Sequence, residues 1–341
     1  MTPRTRERKP FDALSTAELA AWTALRAADP LRDSPYFHPE FAAAVHRSGT
    51  PVHVVVERAG AEVTALLALQ ITGSVARPVG WPGADFQGPI GAGLSPRTLL
   101  TGGVRTFEFD HLVQGSVEFE PYIQSRRVSP FLDVTGGLDG YLGRASRSGR
   151  DNMGQARRRL RQAEREGPVR FTADDPDPAA LDELIDQKRG QYRATGARDY
   201  FADPRHRDLA HALLKTRHAD FGGVLSTLRA GDRLLAAHFG LRSGPVLHWW
   251  FPVYDPAFSR LAPGWMLLRE LVSDAPALGV GRIDLGRGED EYKRRAKTGE
   301  TEVCQGLASR DPLRLARRRA LDALRRSPFA PGLRRLARKV R

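Results

Sequence analysis

Cysteine is almost missing from this chain: Cys304 is the one thiol in 341 residues. That excludes an intrachain disulfide and any cysteine metal cluster. No run of apolar residues is long enough for a membrane-spanning helix. The N-terminal ten residues are basic, but no apolar segment follows them, so a secretory signal is not expected and the cytoplasm is the default compartment. The nine histidines lack ligand spacing. His206 and His211, five apart on a predicted helix, are expected to be surface groups, and no metal is expected. The phosphate loop of nucleotide hydrolases and the dinucleotide-binding glycine fingerprint are both absent. Composition is ordinary, with 41% hydrophobic and 27% charged residues. A chain of this length exceeds one ordinary core, so two domains are expected.

The one excess is positive charge, a net +13. Residues 311–341 hold eleven Arg/Lys and two Asp, a net +9, which leaves +4 for residues 1–310. A second cluster, residues 144–165, has eight arginines against Asp151 and Glu164. The basicity therefore belongs to a tail and one helix. Both suit phosphates or an anionic membrane face, and both are equally compatible with a solvated helix.

Residues 1–12 read as a polar leader. Helical spacing follows over 15–28, where Ser15 and Glu18 form a capping-box signature, and over 39–45. Strands are predicted at 52–57 and 63–71, around a small-residue turn. The Gly/Pro-rich stretch 78–103 reads as loop. Short strands or helix fragments follow at 106–113, 117–120 and 130–134. A helix over 154–166 ends at Gly167-Pro168, and helices over 178–195 and 204–218 come next. Strands at 223–228, 233–241 and 246–253 precede a helix over 263–274 with proline in its first turn. A basic helix is expected over 313–326. An offset of 171 places Arg58-Ala59-Gly60 on Arg229-Ala230-Gly231, Ala65 on Ala236, Gly73 on Gly244 and Val75 on Val246. Both copies read as strand, tight turn, longer strand, turn, which suggests duplication of one α/β unit.

The most distinctive words come late. The apolar run 280–285 stops at Gly286-Arg287-Gly288, and Glu289, Asp290, Glu291, Tyr292 and Lys293 follow at once. No hydrophobic core asks for that sequence. Strand ends that fan ionisable groups into a loop are where α/β folds place chemistry.

Several of these words resemble the GNAT acyltransferases, in particular the CelD-like subgroup linked to polysaccharide biosynthesis and its Fem-like relatives with two GNAT units in one chain. The resembling pieces are Ser34-Pro35-Tyr36-Phe37, Asp85-Phe86-Gln87-Gly88-Pro89, the arginine-rich helix ending in Glu166-Gly167, Tyr254-Asp255-Pro256, Pro263-Gly264, and Asp284-Leu285-Gly286-Arg287-Gly288-Glu289 with Tyr292-Lys293. They span roughly residues 20–300. The resemblance implies an α/β fold with a mixed sheet, a tandem double GNAT unit, and acyl transfer from acyl-CoA or acetyl-CoA as co-substrate.

Such a reaction must hold the donor's pyrophosphate, polarise a carbonyl and deprotonate an amine or hydroxyl. The approach to the helix at Pro263 suits the pyrophosphate, because a helix N-terminus offers unpaired N–H groups. Ser259, Arg260, Leu261, Ala262 and Gly264 are the donor-binding candidates there. The family run is Arg/Gln-x-x-Gly-x-Gly/Ala. This chain reads Arg260-Leu-Ala-Pro-Gly264, one residue longer and with a single glycine. Trp249 and Trp250 are expected on opposite faces of the strand 246–253, with at most one lining a cleft; Trp250 is the donor-side candidate. Candidate bases are His238, Asp284 and Glu289. Each has a structural alternative, His238 as a strand residue and Asp284 as a turn cap. Tyr292 is placed to return a proton to the leaving thiolate. A lysine near Lys293 is thought to contact acceptor phosphate in Fem-like relatives, which would imply a phosphate-bearing acceptor. Trp81, Asp85, Gln87 and Arg287 are expected to bind the acceptor.

The expected layout is an N-terminal unit over 13–143 with an acceptor or structural role, a linking helix over 144–167, a donor-binding unit over 168–310 and a basic tail over 311–341. The expected activity is N- or O-acylation of a polysaccharide or cell-envelope precursor, with the protein cytoplasmic or peripheral at the inner membrane face. Two alternatives stand beside it. One is a Fem-like transferase that takes its acyl group from aminoacyl-tRNA. The other is a non-catalytic membrane-associated component of polysaccharide synthesis.

Overall fold

The computed structural model describes residues 3–165 and 167–315. The first half supplies strands β1 (Arg4–Pro10), β2 (Val52–Ala59), β3 (Glu62–Thr72), β4 (Val75–Pro78), β5 (Ile90–Gly91), β6 (Thr106–Val113) and β7 (Ile123–Asp133). Its helices are α1 (Thr16–Ala27), α2 (Pro39–Arg47) and α3 (Pro96–Leu99). The second half begins with helices α4 (Gly137–Arg144) and α5 (Arg147–Ala163), then β8 (Val169–Thr172), α6 (Pro178–Thr195) and α7 (Pro204–Lys215). It continues through β9 (Arg217–His218), β10 (Phe221–Ala230), β11 (Arg233–Ser243), β12 (Val246–Tyr254) and α8 (Pro263–Asp274), and ends with β13 (Arg282–Asp284), α9 (Glu291–Ala296) and β14 (Gly299–Ser309).

One mixed sheet runs through both halves in the order β1-β2-β3-β4-β6-β14-β7-β13-β12-β11-β10-β8, with β5 and β9 alongside. The repeat at an offset of 171 is visible in it. β3 falls on β11 end for end. Gly60 and Gly231 (φ 63° and 56°) turn the first hairpin of each copy, and Gly73 and Gly244 (57° and 51°) the second. Both first hairpins break register at the same place, Glu57/Arg58 and Leu228/Arg229. Val75 and Val246 each open a parallel pairing, with Thr106 and Arg282 respectively.

The two halves exchange strands at the centre. β14, from the end of the described chain, lies antiparallel between β6 and β7 of the first half. β7 in turn pairs with β13 of the second half. One large core, with Phe41, Phe86, Leu184, Phe221 and Trp250, joins α2 to α6 and α7 across the halves on one face. The opposite face of the second half is closed by α4, α5 and α8 over Tyr141, Met153, Trp249 and Leu267.

Local signals explain the helices. Ser15 and Glu18 make the reciprocal capping box of α1, and Asp177 and Asp203 cap α6 and α7 ahead of a proline in the first turn. The expected polar leader is a correction: Arg4–Pro10 is an edge strand in full register with β2. Its charged alternation carries no apolar period, and such charge suits an edge. Arg4 reaches the buried Glu57 at 2.9 Å. The expected loop 78–103 contains β5 and α3. Only residues up to 315 of the expected tail and its helix lie within the described part. Among the described residues no helix is long and apolar enough to cross a membrane.

Candidate active site

β12 and β13 run parallel for three pairs, ending at His248↔Asp284. β13 stops there, so the rest of β12 has no partner on that side and the sheet splays open. Pro252, which offers no N–H, sits in this unpaired stretch, where no ladder bond is lost.

An apolar cavity of about 280 Å³ opens on one face of the splay, lined by Trp249, Tyr254, Ser259, Ala262, Gly264 and Tyr292 among others. The first turn of α8 forms its wall. Ala262 caps that helix in the left-handed region, φ 47°, the only non-glycine with positive φ among the described residues. Ser259-x-x-Ala262-x-Gly264 has the spacing of the run that the sequence resembles, with serine in place of Arg/Gln and alanine in place of the first glycine. A left-handed alanine costs about 1–2 kcal/mol. Glycine gives back part of that as chain entropy. Ala262→Gly is therefore expected to raise stability by about 0.5–1 kcal/mol, read as a higher Tm by calorimetry; an unchanged or lower Tm would refute the strain.

A polar cavity of about 550 Å³ lies on the opposite face, lined by Asp85, Lys188, Tyr192, Asp199, Tyr200 and Trp250 among others. Trp249 and Trp250 thus each line a cavity, against the expectation that only one would. Trp250 is on the face away from α8, where its indole N–H donates to the Gly83 carbonyl at 2.8 Å.

Between the two faces lies a polar cluster. His248 donates from Nε2 to Asp85 at 3.0 Å, and His111 Nε2 is 3.3 Å from the same carboxylate. Burial would raise Asp85, but the hydrogen bond from His248 and the charges of His111 and Lys293 hold it well below the usual carboxylate range. Gln87 sets this geometry: its Oε1 accepts from the Asp110 and His111 backbone N–H groups, and its Nε2 donates to Asp110 Oδ1 at 2.9 Å. Gly286 passes so close that a Cβ there would lie 2.5 Å from Asp85. Lys293 is buried, its Nζ donating to the carbonyls of Gly286 and Arg287 at 3.3 and 3.1 Å.

The other predicted residues separate. Asp284, 1% exposed, pairs with Arg282 at 3.1 Å, and Arg282 also grips Asp33 at 2.7 Å. His238 is fully buried, stacked 4.1 Å from Trp249 and pushed down to about 3 by burial, so it backs the donor-side tryptophan as a neutral ring. Glu289 and Arg287 line a third, polar cavity with Arg127. Arg260 is exposed and Leu261 buried, and Trp81 packs under the Arg77 guanidinium. His38, His218 and Asp220 do come together. However, His38 Nδ1 accepts the Glu40 N–H, so its Nε2 carries the proton that faces Asp220. His248, His111 and Lys188 were not anticipated. Alternation along β12 offered one usable signal, since His248 shares a face with Trp250.

Residues 150–294 match the family model described as "Acetyltransferase (GNAT) domain". Three solved structures resemble most of the chain. The C-terminal domain of a putative lysylphosphatidylglycerol synthetase from Agrobacterium fabrum has a TM-score of 0.55 at 14% identity, covering 91% of this chain and 98% of its own. FemX has a TM-score of 0.58 at 10% identity, covering 88% and 96%. A tandem GNAT protein from the clavulanic acid biosynthesis pathway has a TM-score of 0.52 at 14% identity, covering 90% and 99%. A search among curated proteins gives no match. At such identities the solved structures speak for the fold, and the family match speaks for the chemistry. The chain has the tandem GNAT fold, its residues 150–294 match the GNAT acetyltransferase domain, and it is an acyltransferase.

Proposed function

We propose that the protein moves an acyl group from acyl-CoA, held in the apolar cavity, to an amine or hydroxyl of a saccharide-type acceptor in the polar cavity. The observation that carries this reading is the pair of cavities on opposite faces of one splayed strand, β12. A thioester lying in the splay would have its pyrophosphate end toward α8 and its acyl carbon toward the other face. Tyr292, on the donor side, is placed to protonate the departing thiolate. The acceptor side offers aromatic faces (Trp250, Tyr200, Tyr192) beside Asp199 and Arg198, a mix suited to stacking and hydrogen bonding of a sugar ring. In this reading the first half (13–143) shapes the acceptor site through Asp85, the second (168–310) binds the donor, and the chain belongs with the CelD-like enzymes of the cell envelope, working in the cytoplasm or at the inner membrane face.

A second reading has a specific observation behind it. Arg147, Arg150, Arg157, Arg158 and Arg161 stand exposed on α5, while its buried Met153 and Ala156 share a core with Leu267 and Leu268 of α8, whose first turn lines the apolar cavity. A basic face beside a donor site suits an aminoacyl-tRNA donor. Thermal-shift titration separates the two readings. Acetyl-CoA and longer acyl-CoAs are expected to give saturable stabilisation, about 2.7 kcal/mol at a hundredfold excess over Kd. No shift with any acyl-CoA, together with salt-sensitive tRNA binding, would overturn the first reading.

A further inference from the structure

We propose that Lys188 is the general base of this acyl transfer, a catalytic role that rests on the two-sided reading of β12 given above. Lys188 projects from α6, one turn beyond the buried Leu184 and Ile185, into the polar cavity. Its Nζ donates to the Pro252 carbonyl at 3.0 Å, in the unpaired stretch of β12 where the thioester would lie. The ring of Tyr192 flanks the ammonium at 5.4 Å. A neutral amine in this position keeps one N–H on the carbonyl and retains a lone pair for the acceptor.

The surrounding charges favour that neutral form. Each carboxylate of the cavity already has a partner: Asp85 has the His248 and His111 rings, Asp199 has Arg189, and Asp203 has Arg205. Arg198 adds a further positive charge to the lining, and His206 is stacked on Tyr200. Tyr192 and Tyr200 are pushed up by burial and stay protonated. From α9, Lys293 acts as a like charge. Burial and that like charge pull Lys188 down to about 8. A base near neutrality is what efficient proton transfer needs. Asp85 is the alternative carboxylate in the cavity, but it already accepts from His248 at 3.0 Å and has His111 Nε2 3.3 Å away.

A lone pair on the acceptor nitrogen or oxygen forms the new bond to the acyl carbon, and the N–H or O–H bond breaks with its electrons left on that atom. The proton passes to Lys188 Nζ, and the C–S bond breaks with its electrons on sulphur. Tyr292, on the donor side, gives its proton to the thiolate; Nζ releases the acceptor's proton to solvent, and Tyr292 regains one from solvent.

The test is CoA release from acetyl-CoA by the full chain, with glucosamine as probe acceptor, from about pH 6 to about pH 10. The wild-type rate is expected to rise roughly tenfold per pH unit and level off near pH 8. Lys188→Arg and Lys188→Met are expected to keep the acetyl-CoA thermal shift, lose roughly 100-fold or more in rate, and lose the rising limb. If either variant keeps both the rate and the limb with the shift intact, Lys188 is not the base, although the donor assignment stands. A wild-type rate that falls above pH 8 would assign the work to the ammonium form and overturn the proposal. No acetyl-CoA shift in the wild type, or a shift with no thioester cleavage at any pH, defeats the transferase reading itself.

Discussion

A chain that stops at Thr298, and so lacks the last strand of the described structure and all that follows it, is expected to lose cooperative folding in both halves. Gly299–Ser309 forms ladders with β6 on one side and β7 on the other. Without it those strands face each other across an empty position, and each presents an unpaired edge. Burial of Val303 and Leu307 contributes about 1.5–3 kcal/mol each, with less from Cys304 and Ala308. Together with the lost ladders, this is comparable to the whole stability of an ordinary domain, about 5–15 kcal/mol. The check is urea unfolding followed by circular dichroism. A cooperative transition close to that of the full chain would show that β14 is dispensable and that the strand exchange is not what unites the halves.

Arg282→Met is expected to cost about 2–3 kcal/mol, below the range of about 3–5 kcal/mol for a fully buried pair because the guanidinium is half-buried. The guanidinium holds Asp33 of the first half and the buried Asp284 of the second. Burial pushes Asp284 up against the pull of Arg282, so the carboxylate depends on that single strong partner. Its removal leaves a charge in the core beside His248. Adding Asp284→Asn removes that charge and should return most of the loss. Equilibrium urea denaturation of the single and double variants measures this. A double variant no more stable than Arg282→Met would mean that the uncompensated carboxylate is not the cause. Asp284 is therefore expected to act through the fold, with Arg282, rather than as a base.

Several parts of the fold were legible because their signals are local. The duplicated hairpins could be read from Gly60, Gly73, Gly231 and Gly244, since tight turns with positive φ select glycine wherever they occur. Pro263 marked the start of α8, and Ser15 with Glu18 marked that of α1, because proline geometry and capping are settled within a few residues. β1 and β14 were missed. One alternates charge, the other mixes Glu, Thr and Gln with short apolar residues, and each becomes a strand only when a distant partner supplies the ladder.

The candidate site divides along the same line. Ser259, Ala262, Gly264 and Tyr292 share a cavity because they sit at or near the ends of consecutive elements, which sequence order nearly dictates. The cluster of Asp85, His111, His248 and Lys293 has no such order: Asp85 and His248 are 163 positions apart. The sequence by itself determined two hairpin repeats, a helix start suited to a donor, and a polar loop after β13. Only the tertiary structure decided which ionisable groups meet. The exchange of β7 and β14 fixes the two halves against each other, and burial then sets which carboxylate is paired with histidine, which with arginine, and which amine is left near neutrality.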